Sequence, residues 1–391
     1  MTRFKQWAIY FFLSRLVNHV RIFSNHRRRF LLALSPNSKY PRSTTSSAFK
    51  KPRNFINVCV PNLFYGNSYP KNVVRRLDRR FLVEEFFPRS SESSRIRKLK
   101  KFDIFHLNFV DVLQLDYPET IQLIGQLQAA KVKIVVTAHD LTPHSKQPEY
   151  YDPLFQTWLS AADGIVHHSQ WGLTALRTRF QIPERTKNAV IFNLGRRDDV
   201  AVVGPKKRRR IETALGIAQV PIRIGIVGAP RKERMIAEFL EGFSRTTRAD
   251  MQVTCWSLTE QDIVPNDPRI AIAEKYRHVR NRTFRKRLEI CDVIAIPYQS
   301  DGEMLTTGVV ASAMEVGIGI LRTDWPFLEE VFGDAGIYIG KDAESFTVGL
   351  SRLTLGDIQL AKKASLKLRL SNSWQVIAEQ YGRLYESVLA D

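Results

Sequence analysis

Thr306-Thr307-Gly308 stands between the apolar run Val293–Ile296 and the helix-patterned stretch Val309-Val-Ala-Ser-Ala-Met-Glu-Val316. A helix beginning there leaves its first backbone N–H groups without partners, and the aligned peptide dipoles add partial positive charge that suits an anion. Gly308 lets a ligand approach the backbone closely. A second strand, tight turn and helix start occur in Ile224-Gly-Ile-Val-Gly-Ala-Pro-Arg-Lys-Glu-Arg234. There Gly228 opens the backbone, while Arg231 and Lys232 put formal charge where a diphosphate would lie. Surface basic residues are usually just solvated, and one glycine turn is a weak signal. Two such turns in one half of the chain point to a diphosphate pocket. Asp301, Glu303, Glu329 and Glu330 are carboxylates that can take the hydroxyls of an attached sugar or ribose.

The first half carries acid–base chemistry instead. Lys133-Ile-Val-Val-Thr-Ala-His-Asp-Leu-Thr-Pro-His144 is a buried-strand pattern that delivers Thr137, His139 and Asp140 to its carboxyl end, with His144 after a proline-stiffened turn. A histidine beside a carboxylate can orient a hydroxyl or take its proton near neutral pH. The bland alternative is that His139 ends a strand and Asp140 caps a turn. Upstream, Phe102-Asp-Ile-Phe-His-Leu-Asn-Phe-Val-Asp111 brings His106, Asn108 and Asp111 to a second strand end, which a polar loop would also explain. Downstream, Gly164-Ile-Val-His-His-Ser-Gln-Trp171 holds paired histidines, one of them expected to pack away. Ser169 there reads as a helix N-cap. No His, Cys or carboxylate spacing matches a metal site, and no cofactor motif appears.

These motifs need strands to hold them. In the first half the strand patterns are Phe55–Val60, Ile104–Leu107, Lys133–Thr137, Gly164–His167 and Ala189–Phe192. Helix patterns fall at Asn72–Arg80, Tyr117–Ala130, Tyr151–Ala161 and Trp171–Phe180. A polar break at 195–212, with Gly204-Pro205 and Lys206–Arg210, reads as a hinge. Strands resume at Ile222–Val227, Gln252–Trp256, Val293–Ile296, Ile318–Leu321 and Ile337–Ile339, and Ser373–Leu389 is a final helix with no strand after it. Strand–helix alternation of this kind is doubly wound α/β folding, in which ligands bind beyond the carboxyl ends of the strands. The expected plan is a basic N-terminal segment (1–54), one Rossmann-like domain (55–200), a second (201–372) and a C-terminal helix (373–391) packing back toward the first.

The net charge of +20 is concentrated at the N-terminus: residues 1–53 carry twelve Lys or Arg, and the first acidic residue is Asp78. The apolar run Trp7–Leu13 is far shorter than the ~20 residues that span a bilayer. A basic amphipathic helix on an anionic membrane, an organelle transit peptide and a disordered tail all remain open for this segment. No stacking platform or helix-turn-helix pattern accompanies the basic runs, so nucleic acid is not an expected partner. Cys59, Cys255 and Cys291 are widely spaced in apolar contexts, as buried free thiols are.

In its motifs the chain resembles a GT-B glycosyltransferase of the glycosyltransferase-4-like group, nearest to bacterial exopolysaccharide enzymes of β-mannosyltransferase type. His106-Leu-Asn-Phe is similar to that group's His-Leu-His-Trp strand end. Thr137-Ala-His-Asp-Leu-Thr-Pro-His144 resembles its Thr-Val-His-Asn-Leu-x-Pro-His, and Thr307-Gly308-Val … Ala313-Met-Glu-Val-Gly317 its Ser-Gly … Ala-Leu-x-x-Gly donor helix. The resemblance implies two Rossmann-like domains facing across a cleft and metal-independent chemistry without a cofactor. It places a nucleotide-sugar donor on Gly228, Arg231, Lys232, Glu303, Thr306, Thr307 and Gly308. A glycan or glycolipid acceptor falls beside His106, Asn108, Asp111 and His144, with His139 and Asp140 as catalytic residues. The group's second glutamate is replaced: Ser312 stands where it would precede Ala-Met, and Ala311 lies eight residues after Glu303. The expected activity is transfer of a sugar to a lipid-linked or cell-envelope saccharide by a cytoplasmic, peripherally membrane-associated hexosyltransferase. A nucleotide-sugar epimerase of the same fold and a non-catalytic binding protein are the competing readings.

Overall fold

The computed structural model describes residues 55–61, 68–86, 98–142, 147–193, 209–210, 213, 222–231, 233–259, 262, 264–273, 279, 281–299 and 303–390. The basic segment 1–54, most of the expected hinge, and His144, Lys232 and Asp301 lie outside the described residues.

The first half runs β1 (Ile56–Pro61), α1 (Ser68–Val74), β2 (Phe81–Phe86), β3 (Ile104–Leu107), a 3-10 turn at Val110–Leu113, α2 (Tyr117–Ala129), β4 (Lys133–Ala138), α3 (Pro148–Ala161), β5 (Gly164–His167), α4 (Gln170–Arg179) and β6 (Lys187–Val190). All six strands are parallel, in the order β2-β1-β3-β4-β5-β6. β3 and β5 are buried at every position, as strands covered on both faces must be. The second half adds β7 (Ile222–Ile226), α5 (Ile236–Ser244), β8 (Met251–Cys255), β9 (Ile270–Ile272), α6 (Asn281–Glu289), β10 (Val293–Ile296), α7 (Gly308–Val316), β11 (Gly319–Arg322), α8 (Pro326–Phe332), β12 (Gly336–Tyr338), α9 (Ala343–Arg352), α10 (Leu355–Ser371) and α11 (Trp374–Leu389). Its sheet, again parallel, has the order β12-β11-β10-β7-β8-β9, so the direction in which successive strands are added reverses between β7 and β10. That switch point opens a crevice at the strand ends.

A recurrent device starts the central strands. Asp103, Asp163 and Asp292 each accept a backbone N–H from the neighbouring strand, from Asn57, Ile134 and Arg223, at 2.7–2.8 Å. These carboxylates lie at the amino ends of the strands, away from the crevices, and their role is structural.

Two strands escape the sequence pattern. β2 is the sheet's edge, and its Glu84 and Glu85 interrupt the apolar run; β9 has only three residues. The helix expected at Asn72–Arg80 begins earlier, at Ser68, with Pro70 in the first turn, where its missing N–H costs nothing. β6 also lies two residues before its expected position.

α11 leaves the second lobe and lies on the first. Trp374, Ile377, Ala378, Tyr381, Leu384, Tyr385 and Val388 form its buried face, against Val58, Val60, Ile104, Val135 and Val166 of the first sheet. At roughly 2 kcal/mol for each large apolar side chain, this face contributes heavily to the first lobe's core.

Candidate functional site

The loops after β7 and β10 are joined across the switch point. Arg234 and Tyr298 form an antiparallel bridge, Gln299 N–H donates to Glu233 O at 2.8 Å, and Met235 N–H donates to Pro297 O at 2.8 Å. Gly228 has a φ of +104°, and a Cβ there would lie 2.6 Å from Val309 Cγ2, so the turn after β7 rests on the first turn of α7. Ser257, beyond β8, donates its hydroxyl to Gly228 O at 2.7 Å and fixes the turn. Gly308 opens α7 with nothing within 4 Å of where its Cβ would be, and the Thr307 side chain makes no capping bond. Thr306 and Thr307 are buried, and Thr306 Oγ1 has no partner.

Arg234 is the residue that motif reading missed. Its guanidinium is buried beside Gly228, 5.5 Å from the Tyr298 ring centroid, and Nη1 donates to Ala229 O at 3.2 Å. Nε and Nη2 have no partner, and burial lowers the group's affinity for its proton. A cation desolvated in this way calls for an anion. Arg231, three residues earlier, is half-buried with Nη1 3.7 Å from Met304 Sδ.

The first lobe reaches this region through the end of β4. Asp140 forms an antiparallel bridge with Met304, and Leu141 N–H donates to Glu303 O at 2.8 Å. Burial pushes the Asp140 carboxyl up to about 7, against the opposing pull of Arg231 and of the Leu305 N–H that it accepts; Asp111 and Glu233 push it further up. A carboxyl poised there can take a proton at neutral pH. Asp111 is thereby placed near Asp140, on the 3-10 turn beyond β3. His139 is buried, stacked on Phe109 at 4.2 Å, with Nδ1 3.1 Å from His168 Nε2.

Four expected contacts with ligand have other partners. His106 is buried, with Nδ1 2.6 Å from Tyr385 Oη and Nε2 2.8 Å from Thr137 Oγ1. Both ring nitrogens are engaged, burial pushes the ring down to about 3, and the residue clamps α11 to the sheet rather than facing an acceptor. Asn108 belongs to the same buried group, its Oδ1 3.5 Å from Thr137 Oγ1. Glu303 gives both carboxylate oxygens to Arg179 Nη1, at 2.6 and 2.7 Å, and Arg179 also grips Asp152. Glu330, expected near a sugar, accepts the Gln170 and Trp171 N–H groups at 2.5 and 2.8 Å and so caps α4 from the other lobe. Ser169 caps that helix as expected, accepting from Gly172 N–H at 2.9 Å. Both paired histidines are buried; His167 Nε2 lies 2.8 Å from Asn188 Oδ1. Among the described residues no cluster of three or more His, Cys, Asp or Glu could hold a metal ion.

The chain matches no protein-family model and none of the curated proteins. Solved structures do resemble it. HepE of Anabaena, in complex with UDP and glucose, is 12% identical over 85% of this chain and 100% of its own, with a TM-score of 0.64. A glycosyltransferase from Rickettsia africae ESF-5 is 13% identical over 87% of this chain and 100% of its own, with a TM-score of 0.63. Sucrose-phosphate synthase from Thermosynechococcus elongatus is 12% identical over 86% and 99%, also at 0.63. At such identities the likeness establishes the fold: this chain has the GT-B arrangement of two Rossmann-like, doubly wound α/β domains facing across a cleft.

Proposed function

We propose that this protein is a metal-independent glycosyltransferase that moves a hexose from a nucleotide sugar to a lipid-linked or other cell-envelope saccharide. The second domain, 201–372, takes the donor, and the first, 55–200, takes the acceptor. One observation carries the reading: Asp140 of the first lobe lies beside Arg231 and the Leu305 N–H of the second, and Arg231 in turn neighbours the buried Arg234. HepE, solved with UDP-glucose bound, makes a uridine donor the first to try.

Arg231, Arg234 and the first amides of α7 supply positive charge to the departing diphosphate, with Lys232 adjoining them in sequence. The acceptor hydroxyl attacks the anomeric carbon as the bond from that carbon to the diphosphate oxygen breaks. In an inverting course the hydroxyl proton passes to Asp140; in a retaining course Asp140 and His139 orient the two sugars. Thr306 and Thr307 adjoin the diphosphate, and Asp111 and His144 belong to the acceptor side.

The membrane side of the reading draws on the basic segment 1–54 and on α10. That helix exposes Leu360, Lys363, Lys367 and Leu370 along one side, an apolar and cationic face suited to anionic lipid. No helix among the described residues is long and apolar enough to cross a membrane.

A panel of nucleotide sugars, with and without detergent-solubilised membrane lipid, tests the proposal. Donor hydrolysis, or transfer to lipid, supports it. Interconversion of a nucleotide sugar without acceptor would mark an epimerase. Failure of every nucleoside diphosphate to bind by calorimetry would leave a non-catalytic binding protein.

A further inference from the structure

The protons on one buried histidine pair can be assigned from its partners. The Ile191 backbone carbonyl can only accept, so His168 Nδ1, 2.9 Å away, carries a proton. A neutral imidazole has one N–H, which makes His168 Nε2 a lone pair. His139 Nδ1, 3.1 Å from it, must then be the donor. What remains is His139 Nε2, a bare lone pair that is buried and without a partner. Burial supports the premise of neutrality, pushing His168 down to about 4 and His139 well below the ordinary histidine range. Neither ring is free to turn: His139 lies flat on Phe109, and Tyr69 meets His139 and His168 edge-on at 5.9 and 5.4 Å. Tyr69 is itself held by Tyr381 of α11 through a 2.7 Å contact between hydroxyls.

We propose that His168 is a positioning residue that relays the Ile191 carbonyl to His139, locking it as the Nδ1–H tautomer with Nε2 ready to accept a hydrogen bond from a substrate hydroxyl. The hydroxyl half of this inference rests on the sugar-transfer reading; the tautomer half does not. The chemistry is selective, because a lone pair fixed in this way accepts from an O–H or N–H and repels an ether, carbonyl or phosphate oxygen. His139 therefore recognises a group that brings its own proton, and it makes this choice without titrating.

The test is long-range proton–nitrogen correlation on the full chain with 15N-labelled histidine, first without ligand. His139 should show a protonated Nδ1 and an unprotonated Nε2, unchanged from pH 6 to 8. In His168→Phe, which keeps a ring but removes the acceptor, the Nε2–H form should appear and KM for UDP-glucose should rise about tenfold. His168→Gln offers an amide oxygen to His139 Nδ1 and should restore both readouts. A wild-type spectrum with Nε2 protonated, or with a charged ring, overturns the relay whether or not either variant folds. Added UDP-glucose should move the His139 Nε2 resonance. If the tautomer is as assigned and the resonance stays fixed in the presence of nucleotide sugar and acceptor lipid, the hydroxyl half is wrong and the relay stands.

Discussion

Arg179, the last residue of α4, holds both oxygens of Glu303 across the seam between the lobes, at 2.6 and 2.7 Å. Its other nitrogens bind Asp152 and Thr142, so one guanidinium ties α3, the end of β4 and the second lobe together. With the Asp140–Met304 bridge and the Glu330 cap on α4, this pair fixes how closely the lobes approach. Both side chains are partly exposed, at 22% and 32%, so solvent screens the pair. A double-mutant cycle with Arg179→Met and Glu303→Gln should give a coupling of about 1 kcal/mol. Small-angle scattering should show either variant more open. Scattering curves identical to wild type would remove the pair from any role in closure.

Arg234→Met separates binding from stability. The buried guanidinium leaves two nitrogens unpartnered, and such a group destabilises the fold it sits in. The variant should melt at the same temperature or higher while losing about 100-fold in affinity for UDP, since charge-assisted bonds to phosphate are lost. Calorimetry and a thermal scan on the same sample check both halves. Unaltered UDP affinity would show that the anion lies elsewhere.

Asp140 ties activity to pH. Its folded pKa, about 7, is above the ordinary carboxyl value, so the native state holds a proton that the unfolded chain has released between roughly pH 4 and 7. Stability from this group is therefore present at low pH and lost as pH rises through 7. Asp140→Asn should leave the melting temperature near wild type at pH 4 and raise stability by about 4 kcal/mol at pH 8. As the base of an inverting reaction, Asp140 requires wild-type turnover to fall below pH 7, and the asparagine variant to lose about 100-fold or more. A pH-independent stability difference would show that the carboxyl titrates normally.

Two glycines predict opposite outcomes. Gly228→Ala combines a φ of +104° with a Cβ 2.6 Å from Val309, and should destabilise by about 2–4 kcal/mol, with partial rescue by Val309→Ala. Gly308→Ala meets nothing within 4 Å and replaces a poor helix former, so the fold should tolerate it. The new methyl would instead crowd an anion at the start of α7, and UDP affinity should drop at least tenfold. Equal affinity for UDP in Gly308→Ala and wild type would show that no ligand approaches that backbone.

The central strands were legible because burial on both faces demands continuous apolar runs, as at Ile104–Leu107 and Val293–Ile296. The strand end before Asp140 and the tight turn at Gly228 were legible because such places leave local signatures. The partners of Arg234, Glu303 and Glu330 were not. A buried arginine has the same letter as a solvated one, and a carboxylate that caps a helix from another lobe has no local spacing to betray it. His106 misled for the converse reason: a polar residue at a strand end matched a site pattern, but its partners Tyr385 and Thr137 come from distant sequence.

Because α11 completes the hydrophobic interior of the first lobe, that lobe cannot finish its packing during synthesis until the whole second lobe has left the ribosome. The half of the molecule made earlier is thus the half that matures later, with the faces of Val58, Ile104 and Val135 uncovered in the interval. A nascent chain stalled before Trp374 should remain protease-sensitive in its amino-terminal half, however well the second sheet has formed.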